Sequence, residues 1–192
     1  MTQEKWNIDT VHSHLEFSVR HLMISKVKGH FNKWSGVLLV DDANPAGSKA
    51  EVTIDAASID TREQQRDDHL RSADFFDAAS HPTLTFTSTR VEKVSDEEYK
   101  VTGNLTIRGV TREVVLATDY LGKSKDPWGG ERIGFSAKTS INRKDYGLAF
   151  NMPLDTSAVR GVGLPGTGCS RMPLTVTAPS WFKSISRAYS AP

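Results

Sequence analysis

The sequence predicts an all-β fold with one short helix, an antiparallel β-barrel of about eight strands. Two observations carry that reading. Segment after segment places an apolar residue at every second position: Leu15, Phe17 and Val19; Val52 and Ile54; Leu84 and Phe86; Val114, Leu116 and Tyr120; Ile133, Phe135, Ala137 and Ile141. That is the period of a sheet with one dry face. The segments are also separated by gaps short enough for hairpins, which join antiparallel neighbours. A closed sheet of this size surrounds an interior that side chains fill or that holds one small ligand.

A first strand pair is expected over residues 12–21 and 26–40, joined near Ile24 and Ser25, with Gly29 and Gly36 as bend or bulge positions. Asn44, Pro45 and Gly47 make a turn. After a strand at 49–55, a helix should start at Asp60 or Thr61, because Asp60 with Glu63 and Thr61 with Gln64 both match a capping box. It is polar, with Leu70 as its large apolar anchor, so it reads as a plug or lid over a barrel rim. Phe75 and Phe76 would tuck the next turn against the sheet. Further strands are expected at 83–94, 99–108, 111–120 and 131–141. Gly103 and Asn104 read as a bulge within one long strand rather than a hairpin, which would leave strands of four residues.

Composition narrows the function. The chain has 192 residues, 38% of them hydrophobic and 24% charged, which is ordinary for one globular domain. Residues 1–9 carry neither a basic segment nor an apolar run of the secretory type, which leads us to expect a soluble, cytoplasmic protein. The single cysteine, Cys169, fits a reducing compartment. Lys and Arg number 24 against 23 Asp and Glu, without the basic, aromatic-interleaved face of a nucleic-acid binder.

Chemistry is thinly signposted. His12 and His14 share a strand face at a spacing that can supply two metal ligands, but hydrogen-bonded surface histidines are the simpler reading, and we expect no metal. There is no G-x-S-x-G turn to present a nucleophile and no phosphate-cradling loop, so neither catalysis nor a cofactor is expected. Asp67, Asp68 and His69 cluster on the helix, as a polar cap over a ligand or, more simply, as a solvated face.

Four strings together resemble one known family: HSHLEFSVRHLMISKVKGHF from His12, RDDHLRSADFFDAASHP from Arg66, GNLTIRGVT from Gly103 and INRKDYGL from Ile141. In this order, spread from Trp6 to Asn151, they resemble the YceI-like (lipid or polyisoprenoid-binding) family. The resemblance implies an extended lipocalin-like antiparallel barrel whose lumen binds, carries or stores a polyisoprenoid or quinone-like amphiphile without covalent chemistry. By parity, the candidate wall is Leu15, Phe17, Val19, Val52, Ile54, Leu84, Phe86, Leu105, Ile107, Val114, Leu116, Ile133 and Phe135. An anionic head group would favour cations or donors at the rim, for which His21, Arg66, His69 and Arg108 are the candidates. Such a carrier would touch membranes transiently, and a homodimer is compatible with the sequence. A barrel with a filled core and a purely structural or interaction role remains the alternative.

The resemblance fades in the tail. Residues 1–152 read as the barrel domain. Residues 153–192 carry five of the eight prolines, four glycines and one acid, the composition that a changed reading frame near residues 154–158 would produce. There, only residues 174–178 look like a strand. A barrel without its last strand would expose a ladder edge, so the tail either closes the sheet or leaves an open seam.

Overall fold

The computed structural model describes residues 3–21, 25–125, 129–148, 171–177 and 185–187. Twelve strands follow in chain order: β1 (Glu4–Ile8), β2 (His14–His21), β3 (Ser25–Phe31), β4 (Trp34–Val40), β5 (Lys49–Asp55), β6 (Ile59–Asp60), β7 (Thr83–Lys93), β8 (Glu98–Ile107), β9 (Val110–Lys125), β10 (Glu131–Asn142), β11 (Arg171–Thr177) and β12 (Ile185–Arg187). The α-helix α1 (Gln64–Arg71) lies between β6 and β7. All the strands belong to one antiparallel sheet, in the order β12-β1-β4-β5-β7-β8-β9-β10-β11-β2-β3-β6. The sheet curls so strongly that β12 pairs with β1 and also with β10, at Arg132 and Ser186. Ser136 to Asn142, farther along the same edge of β10, pair with β11, which carries β2, β3 and β6 as a flap.

The expected strands are present, with differences that have local causes. β1 was not anticipated, because Trp6 and Ile8 are too few apolar residues to establish a period. The strand expected over 26–40 breaks at a corner. Exposed Asn32 and Lys33 turn the chain there, Asn32 N donating to Ser58 O and Lys33 O accepting from Asp55 N. Neither Gly29 nor Gly36 is a bulge, for both sit in regular register. Residues 98–107 form one strand. The irregularity beside Gly103 belongs to the partner, where Thr89 is the extra residue of β7. A second bulge makes Leu121 the extra residue of β9, next to Gly122 at φ +112°. Arg108 (φ +50°) and Gly109 (φ +71°) form the two-residue hairpin between Ile107 and Val110, with the twist such loops require.

The helix begins later than the capping boxes suggested. Its N-cap is Glu63, whose carboxylate accepts from the backbone N–H of Gln65 and Arg66, satisfying the first orphan donors. Asp60 closes a turn by accepting from Arg62 N at 2.8 Å. That bond, with one from Asn32, holds its carboxyl below the usual carboxylate range. Asp67 is buried, and both the backbone N–H and the hydroxyl of Thr61 donate to it. Arg71 donates to the carbonyls of Ala57 and Ile59. The polar residues of α1 are therefore largely fasteners that tie it to β6, and the solvated-face reading fails for Asp67. Leu70 and Phe75 pack against the core, and Phe76 is buried edge-on to Phe31 at 6.0 Å.

The main core gathers at the α1 end of the barrel, where Leu15, Phe17, Phe31, Ile54, Ile59, Leu84, Leu105, Ile107, Tyr146 and Leu148 are all buried. Two rings in it depend on glycine. Phe17 faces its cross-strand partner Gly29, and the ring of Phe86 covers Gly103 on the next strand. A Cβ on Gly29 would lie 2.8 Å from both Phe17 Cε1 and Thr61 Cγ2. Gly29→Ala is therefore expected to destabilise the protein by about 1–3 kcal/mol, as overpacked cores do, in denaturant melts. An unchanged midpoint would refute this packing role.

Tyr146 OH, buried at 2% exposure, has no hydrogen-bond partner among the described residues, and burial, aided by Asp145, raises its pKa above 10.0. Because burial disfavours the ionised phenol, stability is constant in this group below pH 10.0 and falls as pH climbs from there through the folded-state value. Tyr146→Phe should stabilise by about 1 kcal/mol at neutral pH, by removing an unpaired buried hydroxyl. It should also flatten the alkaline fall, read from melts on both sides of pH 10.0.

Candidate functional site

At the other end the barrel is hollow. A cavity of about 360 Å³ opens beside the turn that follows β4, within the range of small-molecule sites, roughly 300–1,000 Å³, and near its lower limit. Its wall combines Ile8 from β1, Trp34 and Leu38 to Val40 from β4, Ala50 and Val52 from β5, Phe86 and Val91 from β7, and Tyr99 and Val101 from β8. It is completed by Leu116, Thr118 and Tyr120 from β9, and Ile133, Phe135 and Ala137 from β10. Strand alternation aims most of these side chains inward, the consecutive Leu38, Leu39 and Val40 apart, and most of the surface presented is hydrocarbon.

The polar lining residues are Ser13, Asp41, Asp42, Ser48, Lys49, Thr118 and Tyr120, of which the exposed Asp42 and Lys49 mark the mouth. Asp41 is buried and already engaged, its Oδ1 accepting from Ala43 N at 3.1 Å and Asn44 N at 2.9 Å, so it shapes the loop. Asp42 is exposed. Burial, with Asp42 nearby, raises the Tyr120 phenol above its usual pKa and keeps it a neutral hydroxyl; its ring leans on Phe135 at 5.5 Å. The described charges on the lining are two aspartates and one lysine, so the mouth has no cationic excess.

A second cluster braces this end from beside the cavity. Trp6 is fully buried against Ile133, Leu38, Val40, Tyr120 and Phe135, and Lys123 Nζ lies 5.3 Å from its ring centroid, a cation–π distance. Burial opposes the Lys123 charge, but a hydrogen bond to Glu4 together with Glu131 and Asp42 outweighs it and raises the pKa. Arg132 Nη1 donates to Asp9 Oδ2 at 3.1 Å, the same oxygen that meets His12 Nδ1 at 2.8 Å. These contacts fix β1 and the turn after it against β10.

The residues singled out from the sequence divide between the two ends. Val52, Phe86, Leu116, Ile133 and Phe135 line the cavity. Leu15, Phe17, Ile54, Leu84, Leu105 and Ile107 lie in the filled core, with Val19 and Val114 packed against it. Arg66 is bound to Thr61, its Nε donating to the hydroxyl at 2.7 Å and Nη2 to the carbonyl at 2.9 Å. His69 meets Asp74 at 3.3 Å and the edge of Phe75, and Arg108 Nη1 donates to Gly147 O at 3.1 Å. All three belong to the α1 end, away from the mouth. The His21 side chain lies outside the described residues. His14 is exposed, and among the described residues no group of three or more His, Cys, Asp or Glu side chains is placed to hold a metal.

Several lining residues were not on the parity list. Tyr99, Val101, Tyr120 and Ala137 share parity with residues that were, so the signal was present. Val91 was hidden because the bulge at Thr89 reverses parity along β7. Val37, Leu38, Leu39 and Val40 form a continuous apolar run from which no parity can be read.

A model of the YceI-like domain matches residues 6–163, a span that includes all four strings picked out above. The UPF0312 protein of Pectobacterium carotovorum subsp. carotovorum is 42% identical over 148 residues, 77% of this chain and 77% of that protein. Among solved structures, the Campylobacter jejuni YCEI protein superimposes with a TM-score of 0.69 at 34% identity, covering 90% of this chain and 91% of that one. A polyisoprenoid binding domain from Saccharophagus degradans superimposes with a TM-score of 0.59 at 18% identity, covering 93% of this chain and 100% of that domain, a likeness of fold. On the span of the domain match and the identity to these relatives, the chain belongs to the YceI-like family.

Proposed function

We propose that this protein is a non-enzymatic carrier or reservoir for an isoprenoid amphiphile, held with its hydrocarbon chain in the cavity and its head group at the mouth. The observation that carries the reading is the hollow, largely apolar half of the barrel, with the charged residues of its lining gathered on the turn after β4 and the start of β5. Each methylene moved from water into such a wall contributes about 0.8 kcal/mol, so roughly ten buried carbons outweigh a substantial part of the freedom lost on binding. The fold shared with a polyisoprenoid binding domain supports the same reading.

The mouth favours a neutral head group. Two aspartates against one lysine would repel a phosphate or diphosphate, whereas Ser13, Ser48 and the neutral Tyr120 hydroxyl can hydrogen-bond an alcohol, a phenol or a quinone carbonyl. On this reading the protein works in the cytoplasm and touches a membrane only to load and unload.

Native mass spectrometry of the purified protein, before and after organic extraction, tests the proposal. The expected result is a bound apolar species that solvent removes and that its own mass identifies. Ala137→Phe, which places a ring in the cavity, should lower lipid occupancy by about tenfold or more, equivalent to losing two buried methylenes, without loss of the folded barrel by circular dichroism. A wild-type protein that is empty as isolated, and that takes up no prenyl alcohol after extraction, would favour a purely structural barrel.

A further inference from the structure

The hollow and filled halves meet in a layer of shared side chains, and along each wall one of them lies deepest. The deepest lining residue is Trp34 on β4, Val52 on β5, Phe86 on β7, Val101 on β8, Leu116 on β9 and Ala137 on β10. Beyond them toward α1 lie residues of the filled core, Ile54, Leu84 and, past Gly103, Leu105. Two rings stand at this depth: Trp34, level with Ile54 and packed against the core, and Phe86, which is level with Val52, is itself a member of the filled core and also lines the cavity. Phe86 sits directly across from Val52, and its ring extends over Gly103, where a Cβ would come within 2.6 Å of Phe86 Cζ. The ring can lie there because Gly103 has no side chain to displace it.

The cavity is consequently shallow. From Leu116 to Tyr120 on β9 the wall spans four residue steps, about 13 Å of strand. An isoprene unit places four carbons along its chain, about 5 Å at ordinary carbon–carbon bond lengths. The space beneath the mouth therefore takes roughly two or three units. A longer chain would meet the Phe86 ring and leave its remainder in water.

We propose that Phe86 is the floor of the ligand site and sets the chain length this protein accepts, a prenyl group of geranyl or farnesyl size. The inference rests on the lipid-binding reading above. It turns Gly103, a residue without a side chain, into the partner that holds the floor in place.

The test is titration of extracted full-length protein with geraniol, farnesol and geranylgeraniol, followed by tryptophan fluorescence, since Trp34 lines the cavity. In the wild type, affinity should rise by about tenfold or more from geraniol to farnesol, because two further buried methylenes already give that factor. It should not rise again from farnesol to geranylgeraniol. In Phe86→Ala the gain should continue to geranylgeraniol by about tenfold or more on the same grounds. Phe86→Leu should show a smaller gain in the same direction and serves where the alanine variant does not fold. A wild-type affinity that keeps climbing through geranylgeraniol would overturn the length limit and leave lipid binding standing. A plateau that persists in folded Phe86 variants would overturn the role of this residue. A wild type that binds none of the three alcohols would overturn the lipid-binding reading and the limit together.

Discussion

Phe17 and Phe86 enter the barrel from different strands, and each comes to rest over a glycine on a neighbouring strand. Close packing in a barrel interior requires that the wall yield wherever a large ring crosses it. Gly29 and Gly103 are where this wall yields. With those two rings seated, the aliphatic residues around them pack down to the helix end, and Phe31, Phe76 and Tyr146 close the layer beneath α1. The remaining half has Trp34, Tyr99, Tyr120, Phe135 and aliphatic side chains set around a cavity, and that difference makes one half a core and leaves the other hollow.

Polar groups follow the same division. At the α1 end they are consumed internally: Thr61 links Asp67 and Arg66, and Arg71 reaches two backbone carbonyls. At the hollow end, Asp41 is committed to its own loop and Ser48 Oγ accepts from Asp41 N at 3.0 Å, while Ser13 and Tyr120 line the cavity. Lys123, Glu4 and Trp6 brace the wall beside it through contacts that leave the lumen apolar. The barrel thus combines a base whose helix side chains are tied internally, the Tyr146 hydroxyl excepted, with a hollow end that carries few polar side chains.

The period of two made the sheet legible, because alternation depends on nothing but which face is dry. It failed where the backbone departs from regularity: at the Asn32 corner, at the bulges of Thr89 and Leu121, and in β1, where two apolar residues cannot establish a period. The split between core and cavity was beyond it. Leu105 and Val101 lie on one strand with the same parity, yet one is in the core alone and the other also borders the cavity; what separates them is where a neighbouring phenylalanine rests. The rim cations lie away from the cavity for a related reason. Arg66, His69 and Arg108 do stand at an end of the barrel, but which end is open follows from the packing of the interior and not from the residues at its edges.

The pairing of strands distant in sequence carries a cost in time. β2 pairs with β11 over four residues, and β1 meets β12 over three, so the first strands to leave the ribosome have partners in the last part of the chain. Sheets closed by such distant contacts form slowly, since the loop must be closed before the contacts can repay it. During synthesis the β2 edge would remain an unpaired ladder, a template for other chains. Glu16 and Lys28, both exposed on β2 and β3, put charge beside that edge, and this protection matters most to a nascent chain that has not yet made β11.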